Sequence, residues 1–348
     1  MKTYSLSILV LVLVAASSWA VQDGSGLQTS VAVDIAGQAG LEKGSGASDR
    51  LDLREAEVAF MSPVDHLFEG MASFAAHYEG TGVANVEVHE AYIGSSKIIP
   101  RSRFRVGQYF LGIGRLNQFH RHDWPFITAP KVQREFLDTE GVLDTGIEYA
   151  YLLPVPHFIE VTGGMTNGFV FGHSHTAGLR PLFPTHYGRI ASYFSLPWDG
   201  GTQIGLNYLG RRAADGSRMT LLGFDVTAKW KHNQVLQFFF QSEIWYRTRT
   251  SENSIGFYVY PQYYLGENFY LGLRVDYFKV LKDSTGATDP SSEWALVPTV
   301  SYKPSEFSTI RLAYNYIPKF QNSHNFQTDR YFEAQAIFIL GSHPAHDF

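Results

Sequence analysis

The sequence predicts an all-β chain: a transmembrane antiparallel up-and-down β-barrel of about sixteen strands. Three observations carry this. Apolar and polar residues alternate with a strict period of two over long segments. The connections between those segments alternate between short turns and long loops. The chain opens with an export segment, and no later apolar run is long enough for a membrane-spanning helix.

Met1 to Ala20 reads MKTYSLSILVLVLVAASSWA. Lys2 precedes an apolar run from Leu6 to Ala16, and Ser18-Trp19-Ala20 places small residues around a cleavage position. This is the layout of a cleaved secretory signal. Residues 1–20 are therefore expected to be removed, leaving 21–348 as a single barrel domain in the outer membrane of a Gram-negative bacterium. Aromatics make up 15% of the chain, with 20 Tyr and 26 Phe, which favours strands. The absence of Cys excludes disulfides, thiol catalysis and Cys-based zinc sites. A net charge of −5 gives no support to nucleic-acid binding. The mean hydropathy of −0.13 suits a barrel, because only alternate strand residues meet lipid.

Strands are expected at 28–37, 51–61, 67–79, 83–95, 103–112, 142–153, 157–166, 187–196, 202–212, 218–231, 235–249, 254–265, 269–281, 293–303, 307–317 and 328–340. The alternation is clearest in the later ones. Leu236, Phe238, Phe240, Ile244 and Tyr246 oppose Gln237, Gln241, Glu243, Arg247 and Arg249. Leu222, Phe224 and Val226 oppose Asp225, Thr227 and Lys229; Leu271, Leu273 and Val275 oppose Arg274 and Asp276; Ile310 and Leu312 oppose Arg311. Such segments run to roughly 10–14 residues, where globular strands average about 5–6 and a tilted membrane strand needs about 9–11. Trp230, Trp245, Tyr246 and Tyr316 are expected in the interfacial aromatic girdles.

Short turns are expected at 62–66, 97–102, 154–156, 197–201, 232–234, 266–268 and 303–306. The long connections include 115–141, 167–186, 282–292 and 318–327. Segregation of loop lengths by side is what an outer-membrane barrel shows and a soluble barrel has no reason to show.

Arg105-Val106-Gly107-Gln108-Tyr109-Phe110, running into Gly112-Ile113-Gly114-Arg115-Leu116-Asn117, resembles a pattern in porins of the phosphate-selective O/P type. The stretch 114–126 (GRLNQFHRHDWPF), with 137–146, 152–162 and 329–348, resembles uncharacterised outer-membrane proteins sometimes labelled porins or zinc-regulated TonB-dependent receptors. The resemblance implies a barrel whose third extracellular loop, 115–141, folds into the lumen and narrows it. Membrane lipid, lipopolysaccharide and small solutes or ions are the implied partners. A homotrimer is usual for general porins of this size, though no interface signal is legible.

The candidate pore-lining or constriction residues are Arg115, Arg121, Asp123, Arg134 and Glu135 in that loop, with Glu243, Arg247, Arg274 and Asp276 on lumen-facing strand positions. Arg54 and either Glu55 or Glu57 join the lumen charges. Charged linings set ion preference in pores. Histidines also cluster: His120 and His122 in the third loop, His173 and His175 in the fourth, and His186 at its end. Imidazole suits Zn or another divalent metal, and two His-x-His pairs on neighbouring loops could converge on one ion. Solvated or hydrogen-bonded histidines are the competing reading. His343 and His346 would sit at the opposite end of the barrel. Gly112-Ile113-Gly114 lacks the third glycine of a dinucleotide loop, and Ser192 and Ser195 lack a Gly-x-Ser-x-Gly setting. The leading functional expectation is passive diffusion of small hydrophilic solutes or ions, with no catalytic residue and no cofactor. The alternatives are a metal-binding or metal-uptake protein using the loop histidines and, third, an outer-membrane hydrolase.

Overall fold

A computed structural model describes residues 26–341 apart from 43–44, 79–83, 170, 173–177, 283–291 and 322–324. The expected signal segment, His173, His175, His343 and His346 lie outside the described residues. The chain forms β1 (Gln28–Gly40), β2 (Leu51–Pro63), β3 (Glu69–Tyr78), β4 (Ala84–Ser95), β5 (Ser102–Phe110), β6 (Leu143–Leu152), β7 (Phe158–Thr166) and β8 (Phe183–Leu196). It continues with β9 (Gly200–Arg212), β10 (Arg218–His232), β11 (Val235–Arg249), β12 (Asn253–Gly266), β13 (Phe269–Lys282), β14 (Glu293–Ser305), β15 (Ser308–Gln321) and β16 (Asn325–Gly341). Each strand pairs with its sequence neighbour, and β1 closes the barrel antiparallel to β16, with Val31 opposite Leu340. Closure leaves no exposed edge, the condition for strands to cross a bilayer.

The period of two becomes an inside and an outside. On β15, Leu312 is 61% exposed toward lipid while its neighbour Arg311 is 4% exposed in the lumen. On β13, Leu271 and Leu273 face out, and Arg274 and Asp276 face in. One aromatic departs from expectation. Trp245 is not in a girdle but points inward, 1% exposed, into a slot over Gly223, its cross-strand partner. A Cβ at Gly223 would lie 2.4 Å from the indole ring.

The predicted connections hold on one side and only partly on the other. At the end of the barrel that carries the short turns, the links between strands are 64–68, 96–101, 153–157, 197–199, 233–234, 267–268 and 306–307. Three of these are tight turns with positive φ at two successive residues: Trp198–Asp199, Asn233–Gln234 and Glu267–Asn268. At the far end, 111–142 and 167–182 are long, but 213–217 and 250–252 are as short as turns. The loop expected at 318–327 is mostly strand, because β15 and β16 pair out to Gln321 and Asn325.

Two β-bulges break the period near the N-terminus. Asp34 pairs with Glu55 and Ile35 with Leu53, leaving Arg54 as the extra residue of β2. Ser73 pairs with Glu90 and Phe74 with Val88, leaving His89 as the extra residue of β4. A bulge lets two consecutive side chains face the same way. Here it turns Arg54 with Glu55, and His89 with Glu90, into the lumen.

Candidate functional site: a loop across the lumen

Residues 111–142 fold inward after β5 and cross the barrel. They carry two short 3-10 turns, Leu116–Gln118 and Arg121–Asp123, and one short helix, α1 (Lys131–Leu137). Leu111, Ile113, Leu116, Trp124, Phe126, Val132, Phe136 and Leu137 are buried against Leu209, Leu221, Phe239, Trp245, Tyr258, Tyr260 and Phe278 of the wall. Each such side chain withdrawn from water contributes roughly 1.5–3 kcal/mol. The lumen therefore contains an apolar core of its own, which a period-of-two reading of the wall does not foresee.

Asn117 joins the two limbs of the loop. Its Oδ1 accepts from Val142 N at 2.7 Å, and its Nδ2 donates to Leu111 O at 2.9 Å and Val142 O at 3.2 Å. Wall side chains then satisfy the loop backbone. Glu243 accepts from Leu116 N at 2.7 Å, Asn207 from Gly114 N at 2.7 Å, Glu148 from Gly112 N at 3.1 Å and Asp276 from Lys131 N at 3.2 Å. Arg54 donates to Ile127 O at 2.6 Å, Arg274 donates to Thr128 O, and Arg247 donates to Glu135 O. Buried backbone groups left unpaired would each cost roughly 1–3 kcal/mol, so these contacts fix the loop's path.

This placement reassigns several predicted lining residues. Glu243, Arg247, Arg274 and Asp276 face the lumen as expected, but the loop covers them, and they hold it rather than border open space. Trp245 Nε1 and Tyr258 OH also donate to Glu243, both at 3.0 Å within rounding. Arg134 is exposed on α1, and Glu135 pairs with Lys131 Nζ at 3.0 Å. Arg115 and Asp123 do border cavities. One, of about 350 Å³, is lined by Glu57, Glu90, Arg103, Arg105, Asp123 and Arg189 among others. A second, of about 240 Å³, is lined by Arg115, Asp123, Lys229, Lys303 and Arg311 among others. Arg115 lies 4.4 Å over the Phe119 ring and donates to Gln203 at 3.2 Å. Burial, helped by the neighbouring Arg189, lowers its pKa to about 10.

The histidines divide sharply. His186 is not a loop residue that converges with His120. It lies within β8, between the inward-facing Thr185 and Tyr187, so alternation turns it outward. There its Nε2 meets Tyr208 OH at 3.1 Å. His120 and His122 do lie together, with rings 5.5 Å apart and nearly parallel, but a 3-10 turn rather than an extended segment brings them to one side. His120 Nδ1 sits 2.8 Å from Glu57 and its Nε2 2.9 Å from Glu90. Burial alone would lower its pKa, yet these two carboxylates hold it well above the ordinary histidine range. Its Nε2 is hydrogen-bonded to Glu90, while Nδ1 lies close to Glu57 outside hydrogen-bond geometry. His122 Nδ1 lies 3.1 Å from Glu55. Against the effect of burial, Asp123 and Glu55 raise its pKa to about 9.

Two wall histidines that sequence reasoning missed complete this cluster. His77 on β3 and His89 on β4 bring their Nε2 atoms to 2.8 Å. His89 Nδ1 lies 3.0 Å from Glu57. Arg121 pairs with Glu140 and approaches Glu55 at 3.5 Å. The legible signal was His89-Glu90: two chemistry-bearing residues side by side in an otherwise alternating strand.

A family model described as "Putative beta-barrel porin-2, OmpL-like" matches residues 153–342. The chain belongs to this porin family. The porin is 26% identical over 333 residues to an uncharacterised protein of Aquifex aeolicus (strain VF5), covering 85% of this chain and 70% of that one. Its fold is shared with the outer-membrane channel DcaP of Acinetobacter baumannii at TM-score 0.62 and 11% identity, over 92% of this chain and 99% of that one. An anion-selective porin from Comamonas acidovorans matches at TM-score 0.60 and 8% identity, over 90% and 99%. The porin is thus an outer-membrane β-barrel channel protein, as expected. The narrower phosphate-porin and receptor labels, and the metal-uptake reading, gain nothing from these comparisons.

Proposed function

We propose that the barrel passes small hydrophilic solutes or ions unaltered, along the polar spaces beside the inward loop, and that it favours anions. The observation that carries this reading is the second cavity, whose charged lining consists of Arg115, Lys229, Lys303 and Arg311 against the single carboxylate Asp123. Clustered Lys and Arg in a confined, low-dielectric channel lower the cost of stripping water from an anion and raise it for a cation. The Comamonas neighbour, named as anion-selective, is in keeping with that reading. A sixteen-strand barrel is wide enough to keep an aqueous path even with a loop inside it.

Reconstitution into a planar bilayer tests this directly. Step-like current with a reversal potential on the anion side is the expected result. A folded, inserted barrel that carries no current would defeat the channel reading, and a cation-side reversal potential would defeat the anion preference.

A further inference from the structure

We infer that His77, His89, Glu55 and Glu140 form a site for one divalent transition-metal ion of the zinc class, joining the inward loop to the β2–β4 wall. One ligand atom from each of the four lies within 4.8 Å of the others. Two imidazole Nε2 atoms facing each other at 2.8 Å make a weak hydrogen-bond pair but a ready chelate. Two nitrogens on a tetrahedral zinc, with bonds of ~2.0–2.1 Å, stand about 3.3 Å apart, so the rings need open by only about half an ångström. Glu140 Oε2 is 3.9 Å from His77 Nε2 and needs only to close inward. Glu55, whose Oε2 is 3.9 Å from the other ring nitrogen of His77, is the fourth member of the group.

The surroundings match a metal site beyond its ligands. His89 turns Nε2 toward the cluster and holds Nδ1 at 3.0 Å from Glu57, the carboxylate–histidine arrangement that fixes tautomer and raises ligand basicity. Arg121 takes one oxygen of Glu140 and leaves the other toward His77. His122 takes Oε1 of Glu55, while Arg121 approaches its Oε2 at 3.5 Å. Two imidazoles with two carboxylates suit zinc, copper or nickel better than calcium or magnesium, which take oxygen alone. Three of the ligands come from the wall and the fourth from the returning limb of the loop, so an ion here ties the loop to β2, β3 and β4. His120 is left out of the set, because its Nε2 is hydrogen-bonded to Glu90 and its Nδ1 points to Glu57, not to His77 and His89.

The test uses the folded barrel in detergent, stripped with a chelator and titrated with Zn²⁺ by calorimetry and with Co²⁺ by visible absorption. One equivalent should bind, Co²⁺ should show the intense bands of a four-coordinate site, and Zn²⁺ should displace it. His77→Gln with His89→Gln should lose at least a hundredfold in affinity. Glu57→Gln, which touches no metal, should lose about 10–100-fold. Heat-modifiable gel mobility confirms that each variant is folded. If the double variant does not fold, Glu140→Gln, on the loop, carries the test and should weaken binding at least tenfold. No saturable binding by the native barrel, or unchanged affinity in these folded variants, would overturn the assignment. Channel current in the metal-free protein is measured separately, so failure here leaves the conduction reading standing.

Discussion

Asn117 concentrates three buried hydrogen bonds in one loop side chain, beside the backbone bond from Leu111 N to Val142 O that also joins the two limbs. Asn117→Ala is expected to weaken loop docking by roughly 1–3 kcal/mol, since it strands the buried N–H of Val142, while the Leu111 and Val142 carbonyls keep the backbone donors Ile113 N and Leu111 N. Limited proteolysis should then cut within 111–142 while the strands stay protected. Gly114 is a second sensitive point. Its φ is +60°, and a Cβ there would lie 2.6 Å from Glu243 Oε2. Glu252 provides a pH-dependent case outside the strands. Burial would raise its carboxyl, but Arg247 and Ser254 more than offset this and hold it below the ordinary 4.5. A carboxyl lowered by folding stabilises above the unfolded value, and that stabilisation is lost as pH falls through the folded one. The difference in urea midpoint between the native protein and Glu252→Gln should therefore be present at pH 7 and shrink as pH falls below the ordinary carboxylate range. Legibility at this scale was uneven. Arg274, Asp276 and Glu243 were found because an exact period of two assigns each to a face. His89 was missed because a bulge suspends that period at the residue where the chemistry lies. His186 was misplaced because a loop boundary four residues too late hid its strand parity.

Strands were the most readable elements, because lipid on one side and polar groups on the other enforce alternation along their whole length. Connections were less so. Tight turns announced themselves through Asn and Asp at positive φ, but some residues in them carry a cost. Gln234 has φ 65° beside Asn233 at 48°. A left-handed non-glycine costs ~1–2 kcal/mol, part of which returns as unfolded-state entropy on changing to glycine. Gln234→Gly should stabilise the β10–β11 hairpin by about 0.5–1 kcal/mol, read as a higher urea midpoint at unchanged slope. The loop's direction was anticipated through resemblance, not pattern. Its apolar residues (Ile113, Leu116, Trp124, Phe126, Phe136) follow no fixed period, because they pack against a curved interior rather than a flat sheet or a single helix face.

For the whole molecule, charge inside the barrel is unevenly spread. Histidines gather with Glu55, Glu57 and Glu90 on β2–β4, and Lys229, Lys303 and Arg311 of β10, β14 and β15 line the second cavity. If the basic side conducts, Lys229→Ala with Lys303→Ala should move the reversal potential toward zero and reduce anion preference several-fold at low salt, with the effect shrinking as salt rises. This local clustering could not be read from net charge, which sums the whole chain into one small number.

The loop's anchors also set an order of events. Thr128 bonds Glu333, 205 residues away, while Leu116 bonds Glu243 and Gly114 bonds Asn207. No short piece of chain contains both ends of such contacts, and bringing them together early would cost loop-closure entropy with nothing gained in return. The wall must close before its filling can set. Assembly should accordingly show two phases: a first in which strands insert and the barrel becomes heat-modifiable, and a second, slower one in which Trp124 and Trp245 lose contact with water.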